Sequence, residues 1–206
     1  MRKALIYRRF ERFWHWMQAV LVIVLILTGF EIHGFYTIFG FGDAVELHNL
    51  FAYGLIILTA FAIFWHFTTG EWRQYVPTRN FLREYISFYM KGVFRGEPHP
   101  TKKTELSKLN PLQRITYLML KLFLFPVQIG TGLLYMYYYV WKDSGGFFSL
   151  ETVATLHLIG SYLFVTFLVA HLYLMTTGHS VGSNLKAMIT GYEDIEDESE
   201  PKEQKA

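Results

Sequence analysis

Residues 155–174 read TLHLIGSYLFVTFLVAHLYL, a run without a single Asp, Glu, Lys or Arg that carries two histidines, His157 and His171, fourteen positions apart. A helix of about twenty apolar residues crosses a hydrocarbon core of roughly 30 Å. Fourteen residues make about 3.9 turns, so both imidazoles share one face, roughly 21 Å apart along the axis. Ionisable side chains at such depth are rare and mark a pathway or a bound group. Neutral imidazole is a common ligand of iron. Two iron porphyrins, one toward each face of a membrane, account for the spacing.

The same exclusion of charge recurs along the chain. Asp, Glu, Lys and Arg are absent from 13–30, 47–70 and 122–141 as well as from 152–185. Each window is long enough for a transmembrane helix of about 17–25 residues. Hydrophobic residues make up 52% of the 206 positions and charged residues only 17%, against roughly 25% charged in a soluble domain. Mean hydropathy is +0.22. The expectation is an all-α membrane protein, a four-helix transmembrane bundle over 1–192, followed by the tail EDIEDESEPKEQKA over 193–206. That tail is acidic and lacks aromatic residues, which predicts disorder. The basic start MRKALIYRRFER leads into the first apolar run, and no small-residue cleavage pattern follows in TGFEIHGF, so it reads as a retained first helix.

Lys and Arg set the expected orientation. Five occur by Arg12 and nine from Arg73 to Arg114, whereas 31–47 has none and 141–151 only Lys142. By the positive-inside rule both termini and the long loop are cytoplasmic, and the two short connections face the other side. Trp14, Trp16, Trp65, Trp72 and Trp141 all fall near span ends, as an aromatic belt requires. In the long loop, TRNFLREYISFYMKGVFRG puts Phe81, Leu82, Tyr85, Ile86, Tyr89, Met90 and Val93 at helical spacing, with Arg79, Arg83, Lys91 and Arg95 elsewhere around the helix. This predicts an amphipathic helix lying in the interface with membrane lipid. GEPHPTKKTE after it reads as a polar turn segment with His99 solvated.

The chain has no cysteine. That excludes disulfides, cysteine-ligated iron–sulfur clusters and covalent c-type haem, so any haem is held by axial ligands and packing alone. A net charge of +2 gives no electrostatic footprint for nucleic acid.

Helix depth pairs the remaining histidines. The second and fourth spans run in the same direction, so His48, shortly after Glu46, and His157, six residues after Glu151, lie at similar outer depths. His171 needs a partner toward the cytoplasm, and His15 and His66 are both available. His66 lies eighteen residues beyond His48, about 27 Å, which is roughly one turn deeper than His171. Depth favours His15, with His66 as the alternative. His33 and His179 sit at span ends and read as interfacial. Gly29, Gly54, Gly130, Gly132 and Gly160 either let helices approach closely or leave room for a porphyrin edge. On the residues alone two other classes stay open: a proton or solute transporter using the histidines as a relay, and a haem-free membrane anchor.

RFERFWHWMQAVLVIVLILTG, ELHNLFAYG, LNPLQRITY and TLHLIGSYLFVTFLVAHLYL with the following GHSVGSNLKAMITG resemble the bacterial di-haem cytochrome b subunits of formate dehydrogenases, thiosulfate and polysulfide reductases and nickel–iron hydrogenases. The resemblance implies two haem b groups, the outer held by His48 and His157 and the inner by His15 and His171. It implies transmembrane electron transfer in a respiratory chain of the bacterial cytoplasmic (inner) membrane. The exchange would run between menaquinone or ubiquinone (or the quinol) and a periplasmic-side iron–sulfur, molybdenum, hydrogenase or multihaem subunit. In formate dehydrogenase members an Asn in an N-x-x-Q pattern lies at the quinone pocket. The pattern falls here on Asn110 and Gln113, with Pro111 departing from the family's small residue. Arg12 and Arg114, with Arg8, Arg9 and Lys121, are candidate partners for haem propionates.

Overall fold

The computed structural model describes residues 2–78, 80–97, 100, 108–143, 149–177 and 182–195. His99, His179, most of GEPHPTKKTE and the tail beyond Ile195 lie outside the described residues. Among the described residues four helices are long and apolar enough to cross a membrane: Arg9–Ile32, Phe41–Thr69, Pro111–Met136 and Leu150–Met175. Within each, only 11% to 17% of the most apolar window is buried. Val20, Ile57, Phe61, Phe64, Leu163 and Val169 are all more than half exposed, which suits helices whose outward faces meet lipid.

The chain divides into two compact units. One comprises Phe13–Trp72 and Leu118–Leu172 and contains the bundle interior. Its core takes one buried residue from each span, Leu21, Leu55, Phe125 and Phe164, with Leu25, Phe51, Leu58 and Ile129 packed against them. Phe125 and Phe164 meet edge to face with centroids 5.0 Å apart, a preferred aromatic geometry. The connection between the first two spans is tied down by Glu31, whose Oε1 accepts the backbone N–H groups of Ile38, Phe39 and Gly40 at 2.7, 2.7 and 2.8 Å. Three donors on one carboxylate oxygen leave the turn little freedom.

The third span departs from the charge-free window at both ends, starting at Pro111 and stopping at Met136. Arg114 and Lys121 therefore lie inside it. A π turn at Leu120–Leu124 precedes Pro126. Proline lacks an N–H and its ring crowds the carbonyl four residues back, so one extra residue in the preceding turn relieves the conflict. A Tyr137 break then leads into a short helical turn, Tyr138–Trp141.

The other unit comprises Met1–Arg12, Arg73–Tyr117 and Tyr173–Ala206. It contains a two-stranded antiparallel sheet of β1 (Arg2–Leu5) and β2 (Tyr192–Ile195), in the register Lys3 with Asp194 and Ala4 with Glu193. The reading of everything from Glu193 as tail thus gives way to a strand through Ile195. The first acidic residues are drawn into pairing with a basic, β-compatible segment that periodicity over four residues cannot reveal. Tyr7 is half-buried near Glu193, and both desolvation of its hydroxyl and that negative charge raise the hydroxyl pKa.

The loop helix runs through Leu82–Ser87, a π turn at Phe88–Gly92 and Val93–Arg95. It ends in a Schellman arrangement, with Gly96 at φ +67° and hydrogen bonds from Glu97 N to Gly92 O and from Gly96 N to Val93 O. Tyr85 and Phe88 are buried while Phe81, Ile86 and Met90 are exposed.

Candidate functional site

The four histidines that the sequence pairs by depth are brought together in two pairs. His48 and His157 face each other with ring centroids 6.3 Å apart and planes at 72°. His15 and His171 do so at 6.1 Å and 48°. A metal–imidazole bond of about 2 Å, with roughly 1 Å more from nitrogen to ring centre, puts two imidazoles on opposite sides of one metal about 6 Å apart. Both pairs meet that separation. Among the described residues no cluster of three or more His, Asp or Glu could hold a metal ion. Two-ligand sites are what an iron porphyrin needs, since the macrocycle supplies the other four donors. Bis-imidazole haem thus fits the residues present.

Each ring of the first pair is held by a neighbouring span. Thr28 Oγ1 lies 2.9 Å from His48 Nδ1 and donates to Val24 O at 2.8 Å. Thr131 Oγ1 lies 3.1 Å from His157 Nδ1 and donates to Val127 O at 2.7 Å. The adjoining glycines make room: a Cβ at Gly29 would stand 3.3 Å from His48 Cε1, and one at Gly132 would stand 3.0 Å from His157 Cε1. Gly54 faces Leu21 instead, and nothing lies within 4 Å of a Cβ at Gly130. Gln128 points its Nε2 at His157 Nε2 (3.2 Å) and at Ser161 Oγ (3.2 Å), and its Oε1 is buried without a partner among the described residues. Iron at His157 would displace this carboxamide. A Cβ at Gly160 would collide with that same Gln128 carboxamide, so Gly160 makes room for it.

In the second pair, His171 stacks on Phe167 at 5.7 Å and His15 packs edge to face with Trp16 at 5.2 Å. His15 Nδ1 is buried and makes no hydrogen bond among the described residues. His66 is engaged elsewhere: its Nδ1 meets Ala62 O at 2.6 Å, its Nε2 meets Lys121 Nζ at 3.1 Å, and its ring contacts Trp14 at 5.2 Å. Lys121 also sits over the Trp14 ring, 4.8 Å from its centroid. His33 is exposed.

Asn110 and Gln113 form a reciprocal capping box at the start of the third span. Asn110 Oδ1 accepts the Gln113 N–H at 2.8 Å, and Gln113 Oε1 accepts the Asn110 N–H at 3.0 Å. Asn110 Nδ2 donates to Tyr89 Oη at 3.0 Å, and burial raises the pKa of that hydroxyl. Arg12 Nη1 caps the helix Ser183–Thr190 through Ile189 O at 2.5 Å. Arg114 binds the Leu109 and Val76 carbonyls. The roles of Thr28, Thr131 and Gln128 were not read from sequence, although the dipeptide Thr-Gly at 28–29 and again at 131–132 is the signal that could have shown two of them.

No solved structure matches the chain. A protein of Escherichia coli (strain K12) named cytochrome YdhU is 29% identical over 203 residues, covering 92% of this chain and 74% of that one. A protein of Rhodobacter capsulatus named as a Ni/Fe-hydrogenase B-type cytochrome subunit is 24% identical over 217 residues, covering 94% and 82%. The family model described as prokaryotic cytochrome b561 matches residues 6–191, and the chain belongs to that family.

Proposed function

We propose that this chain carries electrons across the bacterial cytoplasmic membrane through two b-type haems. His48 and His157 would hold one toward the outer face, and His15 and His171 the other toward the cytoplasm. The chain would connect a quinone pool with an oxidoreductase subunit on the outer side. Family membership makes it a multi-pass bacterial membrane protein that transfers electrons through b-type haem. The name of the R. capsulatus relative, a hydrogenase cytochrome subunit, supports an oxidoreductase partner. The observation that supports the two-haem reading is a pair of neighbouring imidazoles at each of two levels, both at an iron-spanning separation.

Bound haem supplies one-electron exchange at iron, and the protein sets its potential through ligands, burial and nearby charge. The side chains do the rest. Four imidazoles from three spans would hold the two groups without covalent attachment, since the chain has no cysteine. The interior packing of Leu21, Leu55, Phe125 and Phe164 keeps water from the space among the helices. Oxidation of a quinol yields two electrons and two protons; the chain would accept the electrons singly and pass them to its partner, or run in reverse. Arg12 is the proposed propionate partner, because its buried Nε–H has no acceptor among the described residues. The capping bonds of Asn110 and Gln113 give the N-x-x-Q pattern a structural role, and a quinone contact at the same pair is the second reading of it.

The test is a reduced-minus-oxidised spectrum of the purified chain with pyridine-haemochrome quantification. Two b haems per chain are expected, one after His48→Ala or His157→Ala, and the other one after His15→Ala or His171→Ala. His66→Gln should keep both. A colourless wild-type chain expressed with ample haem would overturn the reading.

A further inference from the structure

The seats of His48 and His157 are built alike on different spans. In each, a threonine hydroxyl faces imidazole Nδ1, at 2.9 Å for Thr28 and 3.1 Å for Thr131, and the next residue is a glycine against the ring's Cε1. In each, the hydroxyl's one proton is directed at the carbonyl four residues back, Val24 O or Val127 O, at 2.8 and 2.7 Å. A hydroxyl has one donor and two acceptor lone pairs. With its proton spent on the helix, it can meet Nδ1 only as an acceptor, so Nδ1 must carry the hydrogen.

A further contact agrees. A second backbone carbonyl lies beside each threonine hydroxyl, Leu25 O at 3.4 Å from Thr28 Oγ1 and Gln128 O at 3.3 Å from Thr131 Oγ1, so each hydroxyl proton has acceptors on its own helix. At the opposite nitrogen of His157, the Gln128 amide is placed to donate into a lone pair. Both rings are thus set with Nδ1–H toward a neighbouring helix and the lone pair on Nε2, which at His157 meets the Gln128 amide that iron would displace. The His15 ring lacks such a partner among the described residues.

We infer that Thr28 and Thr131 are positioning residues that fix the tautomer and orientation of the His48 and His157 imidazoles, and that they hold the potential of the outer haem below the value it would have without them. The inference rests on the two-haem reading above. A hydrogen bond accepted from Nδ1–H makes an imidazole a more basic ligand. A more basic ligand stabilises ferric over ferrous iron, which lowers the midpoint. The hydroxyls act through the histidines, and the same effect is not built in at His15.

The experiment is a potentiometric titration, with low-spin EPR, of the full-length haem-loaded chain carrying Thr28→Val, Thr131→Val, Thr28→Ser or Thr131→Ser. The outer component is identified as the one missing from the His48→Ala chain. Each valine variant should raise the outer midpoint by a several-fold change in its redox equilibrium, up to about tenfold, a tenfold being ~59 mV for a one-electron couple. Its EPR signal should shift, the inner component should hold, and each serine variant should return the wild-type values. Loss of the outer haem in a valine variant but not in the matching serine variant also supports the inference. Unchanged outer potentials in both valine variants, equal shifts of both haems, or loss of haem in serine and valine variants alike overturn it. A wild-type chain without two haems is a different failure, that of the functional reading itself.

Discussion

A single methyl group tests how closely the imidazoles are seated. At Gly132 a Cβ would lie 3.0 Å from His157 Cε1 and 3.5 Å from Nδ1, and the ring is already held by Thr131. It cannot withdraw without leaving that bond. Overpacking a filled site costs about 1–3 kcal/mol, which corresponds to roughly 5- to 150-fold weaker retention. Gly132→Ala should therefore lower the haem-to-protein ratio under haem-limited expression, by loss of the outer component. Gly29→Ala, with its contact at 3.3 Å, belongs at the low end of that range. Gly54→Ala meets only the terminal Cδ2 of Leu21 at 3.2 Å, a flexible group that can turn aside, and should leave haem content as it was. Equal haem loss in all three would mean that helix approach, not the imidazole seat, governs these glycines. The ring set against His171 is that of His15, while both nitrogens of His66 are engaged, by Ala62 O and Lys121, which supports the proposed pairing of His15 with His171.

At the scale of the element, the capping box offers a separation of structural from functional roles. Asn110 caps the third span and donates to Tyr89. Removing such a cap costs about 1 kcal/mol. Asn110→Ala should lower the thermal midpoint of the purified chain by a few degrees and leave both haem spectra unchanged; loss of quinone turnover with no change in thermal midpoint would instead assign Asn110 to substrate. The four spans were legible because charge exclusion from a bilayer is a strong, length-matched signal. Their ends were not. Arg114 and Lys121 lie inside the third helix, since long cationic side chains can reach from a helical backbone to polar partners. The π turn at Leu120–Leu124 answers Pro126 locally and leaves no periodic trace. β1 and β2 are four residues each and nearly the whole chain apart, so no window could pair them.

For the whole molecule, what the sequence carried was level, and what it did not carry was rotation. Counting residues from span ends gives depth at 1.5 Å per residue, and this matches His48 with His157 and His15 with His171, the pairs whose ring centroids lie 6.3 and 6.1 Å apart. Which side of the first and third helices faces a histidine depends on how each helix is turned about its axis, and spans apolar all round give no amphipathic signal for that. Thr28 and Thr131 were hidden for this reason. Level also carries the orientation, which rests on the Lys and Arg asymmetry of the connections. The absence of native cysteine makes a clean probe of it. Thr37 and Arg95 are both exposed, one between the first two spans and the other at the end of the loop helix. In intact cells a membrane-impermeant maleimide should label Thr37→Cys directly and Arg95→Cys only after the membrane is opened. The reverse pattern would turn the bundle over. The His48 and His157 pair would then lie on the cytoplasmic side, and the proposed quinone and partner faces would have to exchange.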